Sequence, residues 1–204
     1  IENNLSIRDD YNKFVRDIRK TRDKTTMIRY EISKKYLKGR GLEIGAFHAP
    51  TPLADGCEAD YLDQMSIDEI KKRFPKYEDY YCVYPNIIEN GELLISIEDN
   101  KYDFLIANHM IEHTENVFKT IQNHLRVLKK GGILYYAVPD KRFTFDKNRE
   151  LTTYEHLKAE YLYGSENYRY EHFLDFVTNV QNVKEEKEAS KVAKKLRSEE
   201  HTSE

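Results

Sequence analysis

The sequence predicts an α/β protein with a doubly wound, mostly parallel sheet and helices on both of its faces. Two apolar segments, residues 102–108 and 133–139, have the length and composition of strands buried on both faces of a sheet. Between them, apolar side chains at helical spacing run from Val117 to Leu128, and the Lys-Lys-Gly at 129–131 suits a helix C-terminus. Strand, helix and strand of these lengths indicate parallel pairing through a right-handed crossover.

Helices are expected to open the chain. Apolar residues at 11–18 recur at helical spacing, and Thr25 or Thr26 is expected to cap a second helix that reaches Leu37. The first 38 residues are therefore predicted to be helical.

The remaining strands of the sheet are predicted between this segment and residue 102. A first strand is expected to end at Ile44, and a second spans 57–63. The sequence SIDE at 66–69 is a capping box, which predicts a helix to about Phe74. The aromatic and β-branched segment 80–86 predicts a third strand.

The alternation of strands and helices ends near residue 140. The sequence after it is rich in Tyr, Phe, Arg and His, and is expected to cover the active edge of the sheet. The last eight residues, RSEEHTSE, resemble a translated sequencing adapter and are interpreted as non-native. The predicted parts are an N-terminal helical segment (1–38), a cofactor-binding α/β core (39–140), an acceptor-side cover (141–182), a terminal helix (183–196) and a non-native tail (197–204).

Composition and charge limit the classes of function. The net charge of -3 disfavours a general electrostatic grip on nucleic acid. No apolar run reaches the roughly 18 residues of a membrane span, and the first residues lack the pattern of a signal peptide. Cys57 and Cys82 fit neither a disulfide framework nor a metal-binding pair, so a reducing cytoplasm is expected.

Polar and acidic residues are predicted to gather at one edge of the sheet. In an open parallel sheet, ligands bind beyond the carboxyl ends of the strands, where the strand order reverses. Asp63 follows Gly45 by 18 residues, close to the roughly 20 expected for an acid that binds both hydroxyls of a cofactor ribose. The residues at or just after predicted strand ends are Glu43, Gly45, Asp63, Asn86, Asn108, His109 and Asp140.

The loop after the first strand, LEIGAFHAPTPL at 42–53, distinguishes two kinds of cofactor. A dinucleotide site uses G-x-G-x-x-G so that a pyrophosphate can contact bare backbone at a helix N-terminus. Here Phe47 and Ala49 stand in place of the later glycines, and two prolines delay the helix. The Glu43 carboxylate, which can orient the loop or face a cationic amino-acid group, would repel a pyrophosphate. The loop therefore favours S-adenosylmethionine, which carries no phosphate, over NAD.

Several motifs belong to one pattern. They are LEIG at 42–45, YLD at 61–63, DFLIANHMIEH at 103–113, LRVLKKGGILYYAVPD at 125–140, and KRFTFD with TTYEHL after it. Together they resemble the class I S-adenosylmethionine-dependent methyltransferases, specifically the bacterial methyltransferase-11-like group, over residues 40–160. The continuation PDKRFTFD is similar to a subgroup associated with bacterial cell-surface carbohydrate biosynthesis.

The resemblance implies roles for individual residues. Asp63 matches the acid that binds the ribose, and Asn86 stands where an Asp commonly reaches the adenine amine, a bond that the Asn oxygen can also accept. The glycine-poor loop departs from the family pattern. So does the lack of a legible antiparallel strand pair after the fifth strand, which a truncated chain would explain. The implied cofactor-binding residues are Glu43, Gly45, Phe47, Asp63, Asn86 and Asn108.

Methyl transfer depends mainly on alignment, and a base is needed only when the acceptor must lose a proton. His109 and His113 lie four residues apart and are expected to face one way at a helix start, so they are the candidate catalytic bases. Asp140 and Arg142 are candidate contacts of the acceptor.

No metal site is predicted. The H-x-x-E-H order at 109–113 offers one helical turn, and a metal needs more than this turn provides. His156 and His172 have aromatic neighbours, so ordinary packing is expected for both.

The sequence thus predicts a bacterial, cytoplasmic S-adenosylmethionine-dependent methyltransferase acting on a small-molecule or carbohydrate-linked acceptor. Two alternatives remain open, an NAD-dependent oxidoreductase or epimerase and a catalytically silent S-adenosylmethionine-binding module. General nucleic-acid binding and a membrane span are not expected.

Overall fold

The computed structural model describes residues 2–18 and 23–200. Within them, the five strands are β1 (Arg40–Ile44), β2 (Glu58–Asp63), β3 (Ile87–Ile88), β4 (Tyr102–Asn108) and β5 (Leu128–Ala137). The α-helices of the same residues are α1 (Glu2–Asp17), α2 (Lys24–Tyr36), α3 (Ile67–Arg73), α4 (Val117–Arg126), α5 (Tyr154–Tyr163), α6 (Arg169–Asn179) and α7 (Glu186–Glu200).

The strands form one sheet in the order β3-β2-β1-β4-β5, and every neighbouring pair is parallel. The order reverses between β1 and β4, which is the arrangement of a doubly wound α/β protein. The predicted fold class is therefore confirmed. Residues 2–18 and 23–200 contain no antiparallel strand pair, in agreement with the absence of a legible pair from the sequence.

The centre of the sheet is apolar because β1 and β4 are covered on both faces. Leu42 of β1 and Phe104, Leu105 and Ile106 of β4 are fully buried. Gly41 lies where an added side chain would overlap the Phe104 ring, so glycine is required for this close packing of β1 against β4.

The chain divides into two compact units. Of the described residues, the first comprises 2–18, 23–111 and 120–137 and contains the sheet. The second comprises 112–119 and 138–200, and its core packs Val177 of α6 against Ala189 and Ala193 of α7. The five predicted parts of the chain remain a prediction.

Several predicted elements are confirmed. Strand β4 has the predicted bounds, and α3 begins at the predicted capping box, in which Ser66 and Glu69 each bind the other's backbone N–H. Helix α2 forms as expected, but its cap is Asp23 rather than Thr25 or Thr26, because the Asp23 carboxylate accepts from the Thr26 backbone.

The predicted third strand at 80–86 is wrong. Val83 donates to the Phe47 carbonyl at 2.9 Å, and the Asn12 carboxamide pairs with both backbone groups of Tyr84. The segment meets the sheet at its last residue, where the Asn86 backbone N–H donates to the Tyr61 carbonyl of β2 at 2.7 Å. The paired strand is the two-residue β3, which follows Asn86. Strand propensity thus yielded to a tertiary contact with α1.

The predicted helix end at 129–131 is also wrong. Helix α4 ends at Arg126, and β5 already begins at Leu128, so Lys129 and Lys130 lie in the strand. The predicted terminal helix at 183–196 forms as α7, which begins at Glu186 and continues to Glu200. Of the predicted non-native tail, residues 201–204 lie outside the described residues. No helix within the described ranges is long and apolar enough to span a bilayer.

Candidate cofactor site

The site begins at the carboxyl ends of β1 and β4, the two strands between which the sheet order reverses. Three residues just beyond these ends adopt left-handed backbone conformations: Gly45 (φ 67°), Phe47 (φ 44°) and His109 (φ 53°). For Phe and His such a conformation is uncommon and costs free energy, and such strain concentrates at ligand sites. The two loops are therefore candidates for a ligand-binding edge.

A buried hydrogen-bond chain ties these loops together. The Glu43 carboxylate, 1% exposed, accepts from the Thr51 backbone N–H at 2.9 Å and from the Thr51 hydroxyl at 2.8 Å. The same hydroxyl accepts from Nδ2 of Asn108 at 2.8 Å. The acid of β1, the loop after β1 and the end of β4 are thus held in one arrangement.

Burial changes the acid–base chemistry of Glu43. Removal from water raises the pKa of this carboxyl to about 7, and the bonds from Thr51 oppose that rise because they favour the charged form. Glu43 thus orients the loop, one of the two roles expected for it. Its direct contact with a cofactor remains a prediction.

One polar atom of Asn108 has no hydrogen-bond partner in the protein. Its Nδ2 donates to Thr51, which fixes the carboxamide orientation, and its Oδ1 is buried without a hydrogen-bond partner in the protein. A buried acceptor without a partner costs about 1–3 kcal/mol. A ligand that brings a hydrogen-bond donor to this oxygen would remove that cost.

The loop from 45 to 57 leaves room above Gly45. A Cβ added there would meet no atom within 4 Å, and the Gly45 backbone N–H is held on the Leu62 carbonyl at 2.8 Å. Residues 45–57, all of them described, form no helix, so β1 leads to β2 through a loop alone. The helix N-terminus on which a dinucleotide pyrophosphate would sit is therefore absent from this crossover.

Asp63 lies at the end of β2, as predicted. Its Oδ1 accepts from the Gln64 backbone at 2.8 Å, and burial raises the pKa of its carboxyl. Asp63 is half-buried. Its position suits the predicted binding of ribose hydroxyls, which stays a prediction.

The other two predicted cofactor residues serve the local structure. Phe47 packs edge-on against His48 and Tyr77, with ring centroids 4.9 Å away in each case. The Asn86 oxygen, expected to accept from adenine, accepts from the Tyr61 backbone at 2.9 Å. The second lone pair of the Asn86 oxygen, together with Nδ2, can still bind a ligand.

The helical argument for the candidate bases is wrong. His109 has the left-handed conformation noted above, and only a short 3₁₀ helix, Ile111–His113, follows. The two imidazoles therefore do not share an α-helical turn. Both are exposed, and a catalytic role for either remains a prediction.

Asp140 and Arg142 form an exposed ion pair. The Asp140 carboxylate accepts from the Arg142 backbone and from its guanidinium, which holds the pKa of Asp140 below its usual range. Asp140 thereby caps the 3₁₀ helix Lys141–Phe143. Acceptor binding by these two residues is untested.

Two features were missed from the sequence. Thr51 was not singled out, although a buried acid such as Glu43 requires nearby donors and the loop offers a threonine between two prolines. In the second unit, His156, Glu160 and His172 converge with their ligand atoms within 4.8 Å of one another. The spacing of four residues between His156 and Glu160 in a helical segment was the available signal.

The fold and this edge of the sheet define a Rossmann-like protein with a site for a nucleoside-containing cofactor. The sequence matches the family described as "Methyltransferase domain" over residues 22–180, and the chain belongs to that family. This confirms the resemblance to class I methyltransferases and, with it, S-adenosylmethionine as the cofactor.

Individual relatives and solved structures match a smaller part of this chain than the family does. An uncharacterized protein of Methanocaldococcus jannaschii is 30% identical over 139 residues, which cover 64% of this chain and 62% of that protein. The YcgJ protein of Bacillus subtilis is 21% identical with a TM-score of 0.40, covering 53% of this chain and 48% of YcgJ. The methyltransferase CalH, solved with S-adenosylhomocysteine, is 24% identical with a TM-score of 0.36, covering 51% of this chain and 34% of CalH. The chain thus spans less than two thirds of each relative, and the family match alone carries the assignment.

Proposed function

We propose that the protein transfers a methyl group from S-adenosylmethionine to a small-molecule or carbohydrate-linked acceptor. The observation that carries this proposal is the Glu43–Thr51–Asn108 chain at the strand-order reversal. It fixes the loop beside Gly45, where open space and a buried acid suit a cofactor without phosphate. It also leaves Oδ1 of Asn108 as a buried hydrogen-bond acceptor. The family membership gives the proposal its reaction class.

The residues present fit the cofactor. Oδ1 of Asn108 offers an acceptor for the ammonium of its amino-acid part, Gly45 gives the space for close backbone approach, and Asp63 offers a carboxylate to the ribose hydroxyls. When bound, S-adenosylmethionine supplies an electrophilic methyl group on a sulfonium.

The contribution of the protein is mainly positioning. Thr51 and Glu43 lock the loop before ligand arrives, so less ordering free energy is spent on binding. Alignment of donor and acceptor is worth up to about 7–11 kcal/mol in favourable intramolecular comparisons. If the acceptor must lose a proton, exposed His109 is the candidate base on the β4 side.

The acceptor class rests on the second unit. Exposed rings are frequent just after β5, with Phe143 86% and Tyr154 63% exposed, and we take them as the apolar part of the acceptor-binding surface. The exposed Asp140–Arg142 pair lies in the same stretch and offers hydrogen bonds to hydroxyl groups. A cytoplasmic location is proposed with it, because unbridged thiols such as Cys57 and Cys82 suit a reducing compartment.

Calorimetric titration with S-adenosylhomocysteine tests the cofactor site. We expect one site per chain, no binding of NAD, and a loss of affinity of at least tenfold in Asp63→Asn. Asp68→Asn is the matched control, because this acid is exposed in the first turn of α3, and its affinity should equal that of the wild type. No binding by a folded wild-type chain would overturn the proposal.

Transfer itself is tested with S-adenosylmethionine labelled in its methyl group, incubated with a bacterial extract. The products are then separated into small molecules, glycans, nucleic acids and proteins. Label that depends on the added protein supports the proposed acceptor class when it lies in the first two fractions, and contradicts that class when it lies in the last two. Tight S-adenosylhomocysteine binding with no label beyond that of the extract alone would instead identify a silent binding module.

A further inference from the structure

The second unit contains a three-residue cluster that the cofactor site does not use. His156 and Glu160 lie four residues apart on α5, so their side chains share one face of that helix. His172 on α6 meets them there. The Nε2 atoms of the two histidines are 2.9 Å apart, and Oε1 of Glu160 lies 3.1 Å from the first and 2.8 Å from the second.

We propose that His156, Glu160 and His172 form a Zn²⁺ site that joins α5 to α6. This site is independent of methyl transfer and of S-adenosylmethionine. Two imidazoles and one carboxylate are a donor set that Zn²⁺ accepts, with a fourth position open to water or to a further ligand. Imidazole donors disfavour Mg²⁺ and Ca²⁺, which prefer oxygen.

The distances fit this ion. Zn–N and Zn–O bonds of about 2.0–2.2 Å in a tetrahedral arrangement place two ligand atoms roughly 3.3 Å apart. The three separations observed here, 2.8–3.1 Å, lie slightly inside that value, so small rotations of the side chains would admit the ion.

Hydrogen bonds alone pair these three ligand atoms poorly. Each Nε2 atom either donates or accepts, so the contact between the two imidazoles requires one of each. The accepting imidazole then faces the Glu160 oxygen with a lone pair, unless the carboxyl group is protonated as well. A divalent cation satisfies all three lone pairs at once and neutralises a carboxylate that is 3% exposed.

Neighbouring residues contact the α5 backbone at Glu160 and the His156 ring, and one side of the cluster is open. The Glu160 carbonyl accepts from the Asn116 side chain at 2.9 Å, and the His156 ring packs edge-on against Tyr168 at 5.2 Å. The His156 and His172 side chains are 26% and 43% exposed, which gives the ion an entry path and the fourth position access to water.

Metal content and metal binding test the site on full-length protein without a histidine tag. We expect purified wild type to contain close to one zinc per chain and to lose it to a chelator. Added Zn²⁺ should then restore a higher Tm, because an ion bound only by the folded state stabilises it. Co²⁺ should give the intense visible absorption of a tetrahedral site with nitrogen and oxygen ligands, a readout that needs no enzymatic activity.

Variants separate a metal site from a hydrogen-bonded cluster. Glu160→Gln and His172→Ala should weaken Zn²⁺ binding at least 100-fold, and His172→Cys, which keeps a zinc ligand, should retain the Co²⁺ spectrum with a shift towards sulfur ligation. Glu155→Gln is the matched control, since this acid is exposed on the same helix, and it should bind Zn²⁺ as the wild type does. Folding of each variant is checked by circular dichroism. Folded wild type without zinc or a Co²⁺ spectrum, or unchanged binding in folded Glu160→Gln, would overturn the proposal.

Discussion

Thr51 donates both its backbone N–H and its hydroxyl to the carboxylate of Glu43, eight residues earlier, and both residues are buried. The stretch 42–53, which contains two prolines and one glycine, is thereby fixed by a side chain of the strand that begins it. The cost of burying the acid is offset by the donors of the loop that it organises. The same pair makes the stability of the site sensitive to pH.

Glu43 should make the protein less stable as the pH rises. Because burial raises the pKa of its carboxyl from 4.5 to about 7, the folded state binds more protons than the unfolded state between these values. The stabilising contribution is therefore fully present below about pH 4.5 and is lost as the pH rises through 7, by up to about 3 kcal/mol. Urea unfolding from pH 5 to pH 8 measures this loss.

Glu43→Gln should flatten that pH dependence, because the glutamine oxygen can still accept from Thr51 and the side chain no longer titrates. Glu98→Gln, at an exposed position, should behave as the wild type. A Glu43→Gln protein that keeps the wild-type slope between pH 5 and pH 8 would contradict the assignment of the effect to this carboxyl.

Thr51→Val should weaken both the fold and the cofactor site. Valine keeps the shape but removes the hydroxyl that donates to Glu43 and accepts from Asn108, so buried polar groups lose a partner at a cost of about 1–3 kcal/mol. The affinity for S-adenosylhomocysteine should fall about tenfold as Asn108 loses its fixed orientation. Thr152→Val, exposed in the second unit, should change the free energy of unfolding by less than about 0.5 kcal/mol. Unchanged affinity in Thr51→Val would show that Asn108 needs no support from the loop.

The sequence predicted the sheet well where its signals were local. Strand β4 is a continuous apolar run and α3 starts with a capping box, and both lie where they were expected. The segment 80–86 has equal strand propensity, but the backbone partners of Val83 and Tyr84 are Phe47 and Asn12, which no local pattern reveals. Whether a segment with strand propensity forms a strand thus depended on its long-range backbone partners.

The sequence predicted where the site residues lie on the sheet, but not the hydrogen bonds that they make. Glu43 and Asp63 could be placed at strand ends because parallel strands bring their carboxyl ends to one edge. The role of Thr51 depends on how a loop folds back on its own strand, and Asn86 turned its oxygen to the backbone of Tyr61. Such choices depend on packing and burial, which a linear pattern does not contain.

Tyr102→Phe should lower stability without changing cofactor affinity. The buried Tyr102 hydroxyl donates to the Asp60 carboxylate at 2.8 Å, and the Arg40 guanidinium binds the same carboxylate at 2.6 Å. Tyr102 and Arg40 are the first residues of β4 and β1, at the strand ends opposite the cofactor site. Loss of one hydrogen bond to a charged acceptor costs about 1.5–3 kcal/mol. Urea unfolding and calorimetry with S-adenosylhomocysteine measure the two effects, and a parallel loss of affinity would show that the two ends of the sheet are coupled.

Gly45→Ala, compared with Gly56→Ala, should separate the loss of cofactor space from the cost of backbone strain. Gly45 and Gly56 both have a left-handed backbone, with φ of 67° and 82°, and a Cβ added to either would meet no atom within 4 Å. Alanine at either position should therefore cost a similar 1–2 kcal/mol of backbone strain. Only Gly45 lies at the carboxyl end of β1, so only its new methyl group would occupy the space proposed for the cofactor. Calorimetry should show a loss of S-adenosylhomocysteine affinity of at least tenfold in Gly45→Ala and wild-type affinity in Gly56→Ala, with matched decreases in Tm. Equal affinities in the two variants would place the ligand elsewhere on the sheet edge, because the strain is common to both and the position at the strand end is not.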